Sequence, residues 1–297
     1  MRAVVIHQTG GPEVLRLEDV PAPEPAEGEV LVAVRAVAVN PVEYKQRRGT
    51  YAKELPAVLG SDIAGVVEAS RAEGFAEGEA VFGFARGGYA ELALADSDAI
   101  VHKPPGLSDV QAAALPVAAL TAWQALFDRA GVRAGQRVLI NGAAGGVGHL
   151  AVLFAANADA ETTGTGSERN EEFVLELGAS EFIDYHAREI ASAAHEMDVV
   201  FDCVGNDGAA LVACLKPGGV YVGIAGPPPE REAQAAGARA LLHVMRRDPE
   251  ELAGIAEQVA DGVVRIEISA TLPLEDVARA HELSESGRTR GKLVLTL

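Results

Sequence analysis

The sequence predicts an α/β protein in which a doubly wound parallel sheet interrupts a second, mostly antiparallel β-barrel-like domain. Three observations carry that expectation. The apolar run 138–140 ends at Asn141 in the string Gly142-Ala143-Ala144-Gly145-Gly146-Val147-Gly148, strand and helix patterns alternate through the middle of the chain, and short β-branched runs occupy both ends.

From the N-terminus to about residue 112, β-branched runs at 3–6, 29–38, 63–68, 80–82 and 91–93 are broken by proline and glycine, the spacing of an antiparallel barrel. The pattern then changes. A helix over 110–126 precedes strand candidates at 138–140, 162–165, 182–183, 199–201, 220–224 and 241–245, and six strands separated by helical stretches make a complete parallel unit. The last of these should be the outer edge of the sheet. The Ala-rich stretch 231–239 reads as a surface loop or helix. Beyond Asp248 the style of the first segment returns, with helices over 249–259 and 274–285 and strands over 263–270 and 292–295. One domain is therefore expected from 1–112 with 247–297, and the other from 113–246.

Small residues ahead of a helix are what a tight turn, a close backbone approach to pyrophosphate and close helix packing each require. Ala143-x-Gly145-x-x-Gly148 sets alanine in the first glycine place, and Gly146 adds backbone freedom. The apolar spacing of Val147, Leu150, Ala151 and Phe154 predicts the helix, whose free N-terminal amides would receive a diphosphate. Roughly 20 residues downstream, an acid would hold a ribose 2′-hydroxyl. Here the chain reads Thr163-Gly164-Thr165-Gly166-Ser167-Glu168-Arg169-Asn170. With the strand ending near Thr165, small or hydroxyl residues fill the acidic place, while Ser167, Arg169 and Asn170 suit a 2′-phosphate. NADPH is favoured over NADH. The alternative pairs Arg169 with Glu168 or Glu172, and Glu168 keeps NADH open.

A chain of 297 residues that is 48% apolar buries a full core and accommodates two domains. No apolar run is long enough for a membrane span, and the opening residues read as a first strand and not as a signal peptide, so a cytoplasmic protein is expected. A formal charge of −18 opposes nucleic acid and anionic membrane surfaces. Two cysteines, Cys203 and Cys214, exclude a disulfide framework and a four-cysteine zinc site, and both are expected to be buried, unreactive thiols. The seven histidines show no paired ligand spacing, so surface placement for most of them and no zinc are expected.

Several motifs in order resemble the zinc-independent quinone oxidoreductase and enone reductase branch of the medium-chain dehydrogenase/reductase superfamily. They are Val39-Asn40-Pro41-Val42-Glu43-Tyr44-Lys45, Leu59-Gly60-Ser61-Asp62 with Ile63-Ala64-Gly65, Gly87-Gly88-Tyr89-Ala90-Glu91, Ala112-Ala113-Ala114-Leu115-Pro116, Leu120-Thr121-Ala122-Trp123, and the tail around Ala280-His281 and Gly291-Lys292. The resemblance implies a Rossmann sheet inserted in a GroES-like catalytic domain. Zinc-dependent relatives place a cysteine where Asn40 falls and Gly-His-Glu where this chain has Gly60-Ser61-Asp62, which implies hydride transfer without a metal. Asn206, Glu43 and the loop 71–76 depart from the family pattern.

Reducing a quinone or the C=C bond of an enone needs a hydride held face-on to the acceptor carbon and a donor for the charge that arrives on oxygen. Asn40 and Lys45 lie in the loop that, by the resemblance, faces the nicotinamide. Asn40 would donate to the substrate oxygen or the carboxamide; alternatively it only opens the turn before Pro41. Lys45 would offset enolate charge or hold the cofactor, or else pair with Glu43 or Asp62. Tyr51 would flank the substrate, and Thr121 resembles the position beside the nicotinamide ribose. Val204, Gly205, Ile224 and Ala225 are expected against ribose and nicotinamide. Asp202, ending an apolar strand, is expected to cap the turn at Gly205. An exposed edge strand would pair two copies into a homodimer with one continuous sheet. The rival reading is a catalytically silent NADPH-binding sensor of the same fold.

Overall fold

A computed structural model of the chain describes residues 1–297, and they divide into two units, Met1–Val117 with Arg247–Leu297, and Ala118–Arg246. In chain order the first stretch forms β1 (Arg2–Ile6), β2 (Arg16–Asp19), β3 (Glu29–Val39), α1 (Pro41–Arg47), β4 (Ala57–Val58), β5 (Asp62–Ser70), β6 (Ala80–Phe84), β7 (Leu92–Asp96), β8 (Ile100–His102) and α2 (Asp109–Ala114). The middle forms α3 (Pro116–Trp123), β9 (Arg137–Asn141), α4 (Gly148–Asn157), β10 (Glu161–Gly166), α5 (Glu171–Glu176), β11 (Glu181–Asp184), α6 (Ile190–Ala193), β12 (Met197–Asp202), α7 (Gly208–Val212), β13 (Leu215–Gly223), α8 (Glu230–Ala235) and β14 (Arg239–Leu242). The tail forms α9 (Pro249–Ala260), β15 (Ile268–Pro273), α10 (Val277–Glu285) and β16 (Lys292–Thr296).

In the first unit, β2-β1-β4 make a small sheet, and a larger one runs β15-β16-β3-β5-β6-β8 with β7 also on β3. The central strand is β3, whose eleven residues EVLVAVRAVAV carry apolar side chains on both faces. Its first half, Glu29 to Ala33, pairs with β7, and its second half, Ala36 to Val39, pairs with β16. Val30, Val32, Val37, Ile63, Val81, Ile100 and Leu295 form one core between these strands, each at most 2% exposed. Such side chains stabilise by about 1.5–3 kcal/mol each relative to exposure.

The second unit is a six-stranded parallel sheet in the order β11-β10-β9-β12-β13-β14. The order reverses at β9, and the crevice beyond the carboxyl ends of β9 and β12 is where open α/β sheets bind ligands. Its central strands β9 and β12 are rich in apolar residues and buried on both faces, as a parallel sheet covered by helices requires.

Several bounds differ from expectation. Pro116 splits the helix anticipated over 110–126: α2 ends as the Leu115 amide closes onto Ala112 O at 3.2 Å, α3 starts afresh, and Gln124–Ala130 continues as a π-helix. α2 packs on β3 and β5, so the first unit extends to Val117, beyond residue 112. The strand expected over 263–270 is β15, Ile268–Pro273; Val264 and Ile266 are buried in an irregular lead-in. The edge strand expected over 241–245 is β14, Arg239–Leu242, and Val244 beyond it is 80% exposed. Three histidines, His149, His243 and His281, are buried, while the other four are exposed. Cys214 is buried and Cys203 half-buried, and burial raises both thiols, Cys214 to about 11, where neither is reactive near neutral pH.

Candidate active site

In the second unit the site grows out of the carboxyl end of β9. Gly142 turns the chain with φ +80°, a left-handed conformation that side chains resist, and an added Cβ would lie 2.8 Å from Val204 Cγ2. The tight-turn role thus belongs to Gly142 and not to Ala143, which is buried with its amide donating to Thr165 O at 2.9 Å. Gly148 opens α4 so close to the turn that a Cβ there would sit 2.1 Å from Gly142 O. The amides of Ala144, Gly146 and Val147 donate to no backbone carbonyl and lie at the N-terminus of the ten-residue α4. Free amides and the positive end of a helix together attract an anion. Gly145 donates to Gly142 O, closing the loop at 3.0 Å.

Behind the turn, four strands are tied by one polar network. The Thr165 hydroxyl donates to Asn141 Oδ1 (2.6 Å) and accepts from Gly142 N (3.2 Å). Asn141 Nδ2 donates to Asp202 Oδ1 (2.8 Å), which also receives the amides of Val204 (2.9 Å) and Gly205 (3.1 Å). The Tyr221 hydroxyl donates to Asp202 Oδ2 (2.6 Å), and burial with that carboxylate raises the phenol strongly. Asp202 therefore caps the Gly205 turn as expected, and Thr165, at 0% exposure, braces the turn from behind. Asn141 and Tyr221 escaped the sequence reading; polar residues that directly end or interrupt apolar strands were the available signal.

The segment after β10 is a single 3-10 turn, Glu168–Asn170, in which Glu168 and Arg169 are exposed and Asn170 Nδ2 meets Ser167 Oγ at 3.3 Å. Gly166 is the last residue of β10. Val204 is exposed, and Gly205, Ile224 and Ala225 are half-buried beside each other: a Cβ on Gly205 would lie 2.3 Å from Ala225 O. Thr121 is nearly buried on α3.

In the first unit, the candidates Asn40, Lys45 and Tyr51 lie at the cap of α1, on it and just after it. Asn40 is 2% exposed, its Oδ1 accepts from Lys292 Nζ, and its Nδ2 is buried with no protein partner. Its backbone amide donates to Glu43 Oε2 at 2.7 Å, half of a capping box that starts α1. The backbone of Asn40 thus opens the turn before Pro41, while its carboxamide oxygen faces Lys292. Lys45 does not pair with Glu43 or Asp62: its ammonium lies over the ring of Tyr51, 5.4 Å from the centroid, and Tyr51 is 47% exposed. The cation that faces the two buried carboxyls is Lys292.

Glu43, Asp62 and Lys292 are each at most 5% exposed. Ser61 Oγ lies 2.8 Å from Asp62 Oδ1 and 3.2 Å from Glu43 Oε1, and Val117 N donates to Asp62 Oδ2 at 2.9 Å. Burial, with Asp62 nearby, raises the Glu43 carboxyl from 4.5 to about 8. Burial also raises Asp62 and lowers Lys292.

The six-stranded parallel sheet and the seven-stranded, mostly antiparallel sheet define the medium-chain dehydrogenase/reductase fold, and comparison with known proteins agrees. The alcohol dehydrogenase GroES-like domain family matches residues 26–105, and the zinc-binding dehydrogenase family matches residues 177–295. The chain is 36% identical to a quinone oxidoreductase of Mus musculus, over 100% of this chain and 98% of that one. It is 33% identical to a 2-methylene-furan-3-one reductase of Solanum lycopersicum, over 99% and 79%. A mycobacterial protein solved with NADPH superposes with a TM-score of 0.92 at 28% identity, over 100% of both chains. The chain belongs to the quinone oxidoreductase family. No group of three or more His, Cys, Asp or Glu side chains stands in an arrangement able to hold a metal ion, and no helix is long and apolar enough to cross a membrane.

Proposed function

We propose that the chain is a zinc-independent, NADPH-dependent oxidoreductase that reduces a quinone or an α,β-unsaturated carbonyl. The observation that carries this reading is the turn from Gly142 to Gly148, where a Cβ on Gly142 or Gly148 would meet atoms at 2.8 and 2.1 Å and three amides are left for an anion. Ala144, Gly146 and Val147 hold the diphosphate through those amides. Arg169, with Ser167 and Asn170, holds the 2′-phosphate, in a segment whose exposed position suits a charged group. Val204, Gly205, Ile224 and Ala225 bound the nicotinamide half, with Thr121 beside its ribose. NADPH supplies the hydride when bound. Lys45, held over Tyr51, places a cation for the negative charge that develops on the substrate oxygen.

Zinc independence is supported by the donor set: Asn40 and Ser61 stand where metal-dependent relatives carry ligands, and Asn40 Oδ1 is already engaged by Lys292. The β14 edge, with Leu242 at 44% exposure and Val244 at 80%, supports a homodimer joined edge to edge, which sedimentation tests. For the activity, NADPH is mixed with a panel of quinones and enones. Loss of nicotinamide absorbance is expected with at least one class, and no loss with any of them overturns the assignment.

A further inference from the structure

The hydrogen bonds around Ser61 do not balance if both neighbouring carboxyls are ionised. One hydroxyl proton serves two carboxylate oxygens, Asp62 Oδ1 at 2.8 Å and Glu43 Oε1 at 3.2 Å. Both contacts are full two-centre hydrogen bonds when one carboxyl carries a proton and donates it to Ser61 Oγ, where otherwise a single hydroxyl proton is split between two anions. Asp62 Oδ1 is the nearer acceptor, and Asp62 Oδ2 accepts the Val117 amide, so Asp62 is the carboxylate. Glu43 Oε2 accepts the Asn40 amide, which leaves Oε1 to carry the proton. Charge gives the same answer: one buried ammonium, Lys292, offsets one carboxylate, and a second buried anion would stand uncompensated. The elevated Glu43 carboxyl, about 8, agrees. Lys292 from β16 and Tyr89 are the other titratable groups facing the pair, and Arg47 acts on Tyr89. Of Glu43, Asp62, Lys292 and Ser61, only Ser61 has appreciable surface, being half-buried.

We propose that Glu43 stores one proton and Ser61 is its outlet, so that this pair supplies the proton that completes enone reduction. The inference rests on the reductase reading above. The enolate left once a hydride has reached the β-carbon forms a C–H bond at its α-carbon with the proton of Ser61 Oγ. Ser61 is refilled by the Glu43 carboxyl, Glu43 is left as a carboxylate, and water restores its proton. Reduction of a quinone ends on oxygen, which water protonates unaided, so the relay matters for enones and not for quinones.

The test has two arms, on the full-length protein. Infrared difference spectra of wild type against Glu43→Gln near neutral pH should show loss of a protonated-carboxyl band; its absence overturns the storage claim whatever the activity. In heavy water with NADPH, Ser61→Ala should slow enone turnover by about 100-fold and randomise the face of deuterium entry at the α-carbon, leave quinone turnover within about twofold, and be rescued by Ser61→Thr. Equal losses for both substrates, or unchanged enone turnover and facial selectivity, overturn delivery through Ser61. A wild-type protein that reduces neither substrate overturns the reductase reading and delivery together, and the infrared arm still decides where the proton is held.

Discussion

Replacing Glu43 by Gln should remove most of one pH dependence of stability. Glu43 is 1% exposed, and burial first, then Asp62, raises its carboxyl from 4.5 to about 8. The folded state keeps a proton that the unfolded chain releases, so this group's contribution to stability is fully present below about pH 4.5. It declines as pH rises toward about 8 and is flat beyond. At about 1.4 kcal/mol per pH unit, the span from 4.5 to about 8 sets a ceiling of about 5 kcal/mol. Structural relaxation around the ionised pair reduces that to a few kcal/mol. Gln copies the protonated carboxyl, with its oxygen toward the Asn40 amide and its NH2 toward Ser61 Oγ, and it does not ionise. The measurement is urea unfolding of both proteins at fixed salt between about pH 5 and about pH 9. Far-ultraviolet circular dichroism is the readout, because the single tryptophan, Trp123, belongs to the other unit. Subtracting the variant from the wild type cancels the carboxylates held low at the surface, such as Glu79 and Glu91. The wild type should lose stability relative to the variant as pH rises. Parallel curves would refute the reasoning, since they would mean that Glu43 ionises as freely in the fold as outside it.

Gly148→Ala drives a methyl group to 2.1 Å from Gly142 O, so the turn must open; NADPH affinity by calorimetry should fall at least about tenfold, with a stability cost of about 1–3 kcal/mol. Arg169→Ala should raise the KM for NADPH by about 10- to 100-fold, the worth of a charge-assisted hydrogen bond, and leave that for NADH unchanged in steady-state assays. Tyr221→Phe removes the 2.6 Å donor to buried Asp202 Oδ2 and should cost about 1–3 kcal/mol, read as a lower Tm in scanning calorimetry.

Local patterns were legible because local chemistry sets them. The run Val138 to Ile140 followed by small residues specified β9, the turn and α4 without reference to anything distant. Strands of the first segment's style return after Asp248, and Arg247–Leu297 groups with Met1–Val117. The first-unit site was not legible in the same way. The alternative pairing of Lys45 with Glu43, two residues away, is not made, and the cation that faces Glu43 is Lys292 on β16, whose ammonium meets Asn40 across 252 positions of sequence. A helix of seven residues turns Lys45 outward onto Tyr51 while Glu43 points into the core, and neighbours in sequence are not neighbours on its faces. The break at Pro116 was visible in the sequence but was overridden by the apolar periodicity around it, and β14 makes its last ladder bond from His243 N to Gly223 O at 2.8 Å, short of the expected Met245.

The two halves of β3 have partners made at very different times. Its first half meets β7 within the first hundred residues, but its second half waits for β16, which is synthesised only after the whole parallel sheet. Every strand of the parallel sheet has been synthesised by Leu242, so that unit is free to complete itself during translation. The early barrel, in contrast, emerges with a raw apolar border from Ala36 to Val39. Nascent-chain handling by chaperones should concentrate there, and a truncation before Lys292 should leave a sticky, protease-sensitive amino-terminal segment beside a finished nucleotide-fold module.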